Sequence, residues 1–157
     1  MPIRDIDLLD RRILIELQAN GRATNHEISE RIGLSPSPCL RRIRALEKQG
    51  AIQRYVALVD PEVLGLSVSA FVRVRLSGQD DRHLAEFENA VAEFPEVMEC
   101  YLMSGEADYQ LRVLVSSLGN FEDFLRHKLT RISGVSQVTS SFALRPIVYR
   151  TALPIAT

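Results

Sequence analysis

The stretch TNHEISERIGLSPSPCLRRIR, residues 24–44, decides how the N-terminal part of this 157-residue chain folds. Thr24 followed three residues later by Glu27 is a capping box, which predicts a helix that begins after Thr24 and is closed by Gly33. A further helix is predicted to begin at Ser35. Only about three residues, one of them a glycine, then separate the two helices, and this spacing is typical of a helix-turn-helix.

Two prolines stand at the head of the helix that begins at Ser35. With Ser35 as N-cap, Pro36 is the first helical residue and Pro38 the third, and the N–H groups of a first turn have no partner inside the helix. The Ser35 hydroxyl is expected to accept a hydrogen bond from the Ser37 N–H. The prolines therefore fix the start of this helix and do not break it.

The same helix is predicted to have one apolar and one basic face. At helical spacing the apolar residues that face inward are Cys39, Leu40, Ile43 and Leu46. The outward side carries Ser37, Arg41, Arg44 and Lys48, with Arg42 on the flank. A small hydroxyl on a rigid first turn, followed by arginines one and two turns later, suits a helix that enters the major groove of DNA end first.

Positive charge is concentrated on this helix. The whole chain has a net charge of −1, which argues against a protein that coats nucleic acid by bulk electrostatics. Residues 35–54, by contrast, contain five basic side chains and one acidic one, Glu47. Basic residues on a helix are commonly just a solvated face, but their conjunction with the short glycine turn and the capped preceding helix favours DNA binding.

The chain is predicted to be an α+β protein of two domains. Asp7 caps a first helix, so residues 1–52 form a helix-turn-helix domain with a winged-helix-like arrangement, and residues 53–65 form an extended linker and hinge. Residues 66–157 form the second domain. Its predicted strands are 68–76, 97–103, 109–115 and 135–144, and its predicted helices are 81–93 and 119–131.

This order of elements, βαββαβ, is a duplicated split unit that folds into a ferredoxin-like antiparallel sheet with both helices on one face. The other face stays uncovered. We expect Phe71, Tyr101, Leu111 and Val113 to lie on it, and a large exposed apolar patch predicts pairing with a second subunit.

The turn SGEADY, residues 104–109, is the second candidate site. Gly105 permits a positive φ, exposed N–H groups in such a turn can receive a carboxylate, and Asp108 supplies the opposite charge. Together they complement a zwitterionic amino acid, and Tyr101 or Tyr109 could wall its side chain. Glycine and aspartate are also ordinary turn formers, so the residues alone favour a turn in which Asp108 simply bonds its own backbone.

Nothing in the sequence indicates catalysis, a metal or an organic cofactor. Cys39 and Cys100 lie far apart and away from any metal-ligand spacing, so both are expected to be small buried hydrophobes. The three histidines are isolated, and no phosphate loop or nucleophile elbow is present. No apolar run reaches the length of a bilayer, and the acidic N-terminus does not resemble a signal peptide, so we expect a cytoplasmic protein that is not an enzyme.

The segments LLDRRILIELQANGRAT, IGLSPSPCLRRIRALEKQGAI and YVALVDPEVLGL, with PEVMECYLMSGEADYQLRV, closely resemble the Lrp/AsnC, or feast/famine, transcriptional regulators. The resemblance spans nearly the whole chain. It implies a sequence-specific DNA-binding regulator that forms dimers, commonly assembled into octamers as tetramers of dimers, and whose binding to double-stranded operator DNA or assembly state responds to an amino acid.

The resemblance also implies roles for individual residues. The DNA-contacting positions on this basis are Ser35, Ser37, Pro38, Arg41 and Arg42, with Ser35 partly as cap. The effector loop corresponds to Ser104, Gly105 and Asp108, at an interface between dimers. Thr139 and Ser141 are weaker candidates for the contribution of a neighbouring subunit.

Two other functions remain open at this point. The chain could be an amino-acid-sensing module that docks on a protein partner without binding DNA, which would leave Arg41, Arg44 and Lys48 without a role. It could also be an architectural DNA-binding protein without an effector, in which case Asp108 would be dispensable.

Overall fold

The computed structural model describes residues 5–156 and divides the chain into two compact units. Unit 1 comprises the N-terminal part up to Leu58 and a C-terminal tail that starts at Val148, and unit 2 comprises Val59–Ile147. The helices of unit 1 are α1 (Leu8–Ala19), α2 (Asn25–Ile32) and α3 (Pro36–Lys48). Unit 2 contains β1 (Val68–Leu76), α4 (Asp81–Ala92), β2 (Val97–Leu102), β3 (Tyr109–Val115), α5 (Leu118–His127) and β4 (Val135–Ala143), with 3₁₀ turns at Pro61–Leu64 and Leu129–Arg131.

The first two helices of unit 1 start where their capping residues predict. The Asp7 carboxylate accepts from the Asp10 N–H at 2.9 Å, which caps α1. At α2 the capping box is complete, because the Thr24 N–H donates to Glu27 Oε2 at 2.6 Å while the Glu27 N–H donates to Thr24 Oγ1 at 3.3 Å. Gly33 ends α2 with a φ of 72°, a left-handed conformation that glycine adopts without strain.

The core of unit 1 lies where the three helices meet. Its buried apolar residues are Ile13, Ile28, Ile32, Cys39, Ile43 and Leu46. The prediction that Leu40 faces inward is wrong, since Leu40 is 36% exposed while its neighbour Cys39 is fully buried. The apolar face of α3 is therefore narrower than its sequence indicates, and it is centred on Cys39, Ile43 and Leu46.

The C-terminal tail is the part of unit 1 that the sequence does not reveal. The side chain of Gln18 on α1 bonds the main chain of Leu153 in both directions, from Nε2 to the carbonyl oxygen at 3.2 Å and from the Leu153 N–H to Oε1 at 2.6 Å. Arg11 Nη1 also donates to the Ala156 carbonyl at 2.9 Å. The predicted second domain, residues 66–157, therefore differs from the observed unit 2, because the tail packs on α1.

Unit 2 is a four-stranded antiparallel sheet in the order β2-β3-β1-β4, with α4 and α5 packed on one face. This is the predicted ferredoxin-like fold. Alternate residues of β1 and β3 point into the helix layer and are buried, among them Val72, Val74 and Leu111. Phe87 of α4 and Phe124 of α5 complete the core from the helix side.

The prediction for the uncovered face of the sheet is half right. Phe71 and Tyr101 lie on it and are 40% and 55% exposed. Leu111 and Val113 are fully buried beneath the helices, so their placement on this face is wrong. The cause is the register: Phe71 pairs with Arg112, and side chains directly opposite each other in a sheet share a face, which sends Leu111 and Val113 to the other one.

Cys100 also differs from its prediction, because it is exposed and not buried. It lies on β2, which is an edge strand of the sheet, and the helix layer does not close over it.

No helix among residues 5–156 is both long and apolar enough to span a membrane.

Replacing Leu111 with alanine tests the position of the core. Leu111 is fully buried, so Leu111→Ala should lower the free energy of unfolding by about 2–5 kcal/mol in urea denaturation. Leu118→Ala is the matched control, since Leu118 is 63% exposed and should cost about 0.5 kcal/mol or less. Equal losses in the two variants would contradict this assignment of the core.

Candidate functional site

The outward face of α3 is basic and open to solvent. Ser37, Arg41, Arg44 and Lys48 are all exposed along this face, as the helical spacing predicts. Within residues 5–156 none of the three basic side chains has an ion-pair partner. Their charge is therefore available for an external anion, and the N-terminus of α3, which bears Ser35 and Ser37, adds a partial positive charge at the start of the same face.

The first turn of α3 is held differently from the prediction. Ser35 is the N-cap, but its side chain makes no capping hydrogen bond, so the expected bond to the Ser37 N–H is absent. The Asn25 amide of α2 instead donates to the Pro36 carbonyl at 2.8 Å. Pro36 and Pro38 restrict the backbone of this turn themselves. The hydroxyls of Ser35 and Ser37 are left on the surface, while Pro38 is half-buried.

Arg42 occupies a different environment from the other basic residues of α3. Its Nη1 lies 2.7 Å from Asp7 Oδ2 and 2.8 Å from Asp10 Oδ1. The Asp10 side chain is 2% exposed and that of Arg42 is 23% exposed. These charge-assisted bonds join α3 to the start of α1. Because Arg42 has these intramolecular partners, its structure favours a role in holding the helices together over a role in contacting DNA.

The contact between Arg42 and the start of α1 changes the pKa of Asp7. Its hydrogen bond from the Asp10 N–H, together with the Arg42 guanidinium, lowers the pKa of Asp7 below its usual value. A carboxylate with a lowered pKa in the folded state stabilises the fold above its unfolded pKa. That contribution is lost as the pH falls through the folded pKa.

The turn at residues 104–109 joins β2 to β3 and is anchored at both of its flanks. Gly105 has a φ of 124°, which L side chains rarely adopt. Arg75 Nε donates to the Glu106 carbonyl at 2.8 Å. On the other flank Asp108 is 7% exposed, and its Oδ2 accepts from the Leu76 N–H at 2.6 Å. The side chain of Asp108 thus bonds the backbone of β1, while its main-chain carbonyl accepts from the Met103 N–H at 2.8 Å across the turn.

A cavity of about 120 Å³ lies beside this turn. Its lining residues are Arg73, Val74, Arg75, Glu106, Ala107, Gln137 and Thr139. Thr139 of β4 pairs with Arg73, so the structure brings this predicted site residue to the turn within one chain. Ser141 pairs with Phe71 one step further along the same face. The exposed Ser104 and Gly105 and the buried Asp108 lie on the turn beside the cavity but are not among its lining residues.

Sequence reasoning missed Arg73 and Arg75, although a signal for them exists. They alternate with the buried residues Val72, Val74 and Leu76 in β1, so strand periodicity alone places both on the uncovered face. What the sequence does not indicate is that the turn after β2 folds back to meet them.

The two tyrosines proposed to wall an effector lie on opposite faces of the sheet. Tyr109 is 1% exposed, packs on Phe87 with ring centroids 4.5 Å apart, and donates to Glu88 Oε1 at 2.7 Å. Burial and this bond raise the pKa of Tyr109. Its predicted role at the site is therefore wrong, because its side chain belongs to the core. Tyr101 remains exposed on the uncovered face.

Residues 5–156 contain no cluster of histidine, cysteine or acidic side chains that could hold a metal ion. The two candidate surfaces are the basic face of α3, whose cationic side chains are exposed, and the cavity beside the 104–109 turn, which polar and cationic side chains line.

Comparison with known proteins assigns a class to each half of the chain. Residues 6–53 match the family described as winged helix-turn-helix DNA-binding, and residues 69–153 match the Lrp/AsnC ligand binding domain. The Bkd operon transcriptional regulator of Pseudomonas aeruginosa is 41% identical over 151 residues, which cover 96% of this chain and 99% of that protein.

Two solved structures resemble the whole chain. A transcriptional regulator of Neisseria meningitidis in complex with L-methionine superimposes with a TM-score of 0.91 at 41% identity, covering 96% of this chain and 97% of that one. The feast or famine regulatory protein of Mycobacterium tuberculosis, also complexed with L-methionine, superimposes with a TM-score of 0.84 at 36% identity, covering 97% and 100%.

The contact between Arg42 and Asp10 predicts a stability effect confined to one arginine of α3. Arg42→Met removes a charge partner from a buried carboxylate, so the free energy of unfolding should fall by about 2 kcal/mol at neutral pH. Arg44→Met, at an exposed position of the same helix, should change it by less than about 0.5 kcal/mol. Urea denaturation of both variants measures the difference, and equal stabilities would refute the structural role of Arg42.

Proposed function

This chain belongs to the Lrp/AsnC family of DNA-binding transcriptional regulators, which are not enzymes, and from that premise we propose how its two units work. Unit 1 binds operator DNA through the outward face of α3. Unit 2 binds a free amino acid at the 104–109 turn, and the bound amino acid changes the affinity for the operator or the assembly state.

The observation that supports the DNA-binding face is the open basic surface of α3. Ser37 lies in the first turn of α3, Arg41 and Arg44 follow one and two turns later, and Lys48 ends the helix. In a helix that enters the major groove by its N-terminus, Ser35 and Ser37 reach the first base edges or phosphates. The arginines further along then contact bases and backbone.

The effector site is supported by the complementary groups beside the turn. A zwitterionic amino acid needs a carboxylate for its ammonium group and N–H groups or cations for its own carboxylate. Asp108 provides the first, and the backbone around Gly105 with the cavity residues Arg73 and Thr139 provides the second. The two relatives solved with L-methionine support that compound as the first ligand to test.

The assembly proposal is that the uncovered face of the sheet packs on a second subunit and that such dimers form octamers. Phe71 and Tyr101 expose apolar surface on this face among polar neighbours, which is typical of an interface. A ligand bound between dimers could then bind two assemblies unequally, as any change in DNA affinity requires. As a regulator of operators, the protein would work in the cytoplasm.

Replacing Arg41 tests the DNA-binding face directly. Arg41→Ala should weaken binding to the DNA upstream of the protein's own gene about tenfold, because one contact to phosphate or base is lost. If that contact is to phosphate, the plot of log K against log salt should become shallower, with the magnitude of its negative slope reduced by about one. Fluorescence anisotropy on labelled duplex DNA over a salt series measures both quantities.

Arg126→Ala is the matched control for this experiment. Arg126 is an exposed arginine on α5 in unit 2, where it pairs with Glu122, so its removal should leave DNA binding unchanged. Equal effects of the two substitutions, or no DNA binding by the intact protein, would support the protein-docking alternative instead.

Replacing Asp108 tests the effector site. Asp108→Asn keeps an oxygen that can accept from the Leu76 N–H but removes the charge that an ammonium group requires. Binding of L-methionine, measured by isothermal titration calorimetry, should weaken by about tenfold or more. Asp123→Asn, on the exposed face of α5, is the control and should bind as the unchanged protein does. Unchanged binding by Asp108→Asn would exclude Asp108 from the site.

A further inference from the structure

The carboxylate of Asp108 already has a hydrogen-bond donor on each of its oxygens. Oδ2 accepts from the Leu76 N–H at 2.6 Å, and Oδ1 accepts from Gln79 Nε2 at 2.6 Å. With both partners in place the residue is 7% exposed. An ammonium group that approaches Asp108 therefore meets a carboxylate whose Oδ1 is already bonded to the Gln79 side chain.

The two donors differ in how easily they can leave. The Leu76 N–H belongs to the end of β1, and the Asp108 N–H donates in turn to the Val74 carbonyl at 2.9 Å, so this side of the contact is part of the sheet. Gln79 lies in the loop between β1 and α4 and is exposed. Its amide reaches Asp108 through a flexible side chain, which can rotate away without any change in the backbone.

We propose that Gln79 is an internal competitor of the effector: its amide occupies the Asp108 oxygen that binds the ammonium group and must be displaced before the amino acid binds. This rests on the effector site proposed above. The exchange is favourable because both partners are charged in a bond between an ammonium group and the carboxylate, whereas the amide of Gln79 is a neutral donor and adds no attraction between opposite charges. The bond to Leu76 keeps the carboxylate oriented meanwhile.

The displacement is local to the side chain of Gln79. The next residue, Asp80, caps α4 by accepting from the N–H groups of Arg82 and His83, each at 3.1 Å. Its other oxygen lies 2.6 Å from His83 Nδ1. These bonds do not involve Gln79, so the start of α4 is held whether the amide is bound to Asp108 or not. Substitution of Gln79 should therefore leave the fold intact.

The test is a calorimetric titration of the 157-residue chain with L-methionine, followed by the other nineteen amino acids. Gln79→Met keeps the length of the side chain but removes its donor. The Kd should fall by about three- to tenfold, since the ligand no longer displaces a hydrogen bond. Gln53→Met is the matched control: Gln53 is an exposed glutamine of unit 1 that neither lines the cavity nor bonds Asp108, so the Kd of this variant should stay within about twofold of the unchanged protein.

The outcomes separate this inference from the effector site itself. An unchanged or raised Kd in Gln79→Met, with binding lost in Asp108→Asn, would overturn the competitor role and leave the effector site standing. A raised Kd would make Gln79 a positioning residue instead. Unchanged binding in Asp108→Asn would overturn both, as would failure of all twenty amino acids to bind either the unchanged protein or Gln79→Met. A melting temperature equal to that of the unchanged protein, measured by thermal denaturation, confirms that each variant is folded.

Discussion

The hydrogen bond from the Leu76 N–H to the buried carboxylate of Asp108 is the contact on which the functional end of unit 2 depends. It ties the last residue of β1 to the residue before β3, and so fixes where the turn after β2 closes. With that end fixed, Arg75 can hold the Glu106 carbonyl and the turn forms one wall of the cavity that Thr139 also lines. Because Oδ2 is held by Leu76, Oδ1 is the oxygen of Asp108 at which Gln79 and a ligand can exchange.

In unit 1 a comparable division separates basic residues that hold the fold from those that face solvent. Arg42 joins α3 to α1 through Asp7 and Asp10, whereas Arg41 and Arg44, its near neighbours on the same helix, point away from that contact. A helix that binds DNA must be oriented rigidly, since a displacement of its axis moves every side chain on the binding face. The ion pair of Arg42 with Asp10 holds α3 in a fixed orientation against α1, and the exposed Arg41 and Arg44 give the outward face of α3 its positive charge.

The sequence predicts most of this fold because its signals are local. Capping residues set the starts of the helices, and alternation in β1 and β3 sets the strands, all within a few residues. The errors arise where a distant partner decides the outcome. The predicted face of Leu111 is wrong because strand register joins residues about forty positions apart. Its sequence position predicts that Arg42 is a surface cation, because the bond to Asp10, thirty-two residues away, is not visible in the sequence. Likewise, no residue near Leu153 indicates that its main chain bonds Gln18 on α1.

The candidate sites follow the same rule. The basic face of α3 is contained in one helix and is predicted almost completely, while the effector site draws on β1, β4 and the turn after β2, so sequence finds only its turn. The central claim is that one amino-acid site controls one DNA-binding face. Operator affinity measured with and without saturating L-methionine tests it most directly. We expect a shift in the operator Kd for the unchanged protein, and for Asp108→Asn the same shift only at about tenfold or more higher L-methionine; an identical operator Kd in the presence and absence of every amino acid would contradict this control.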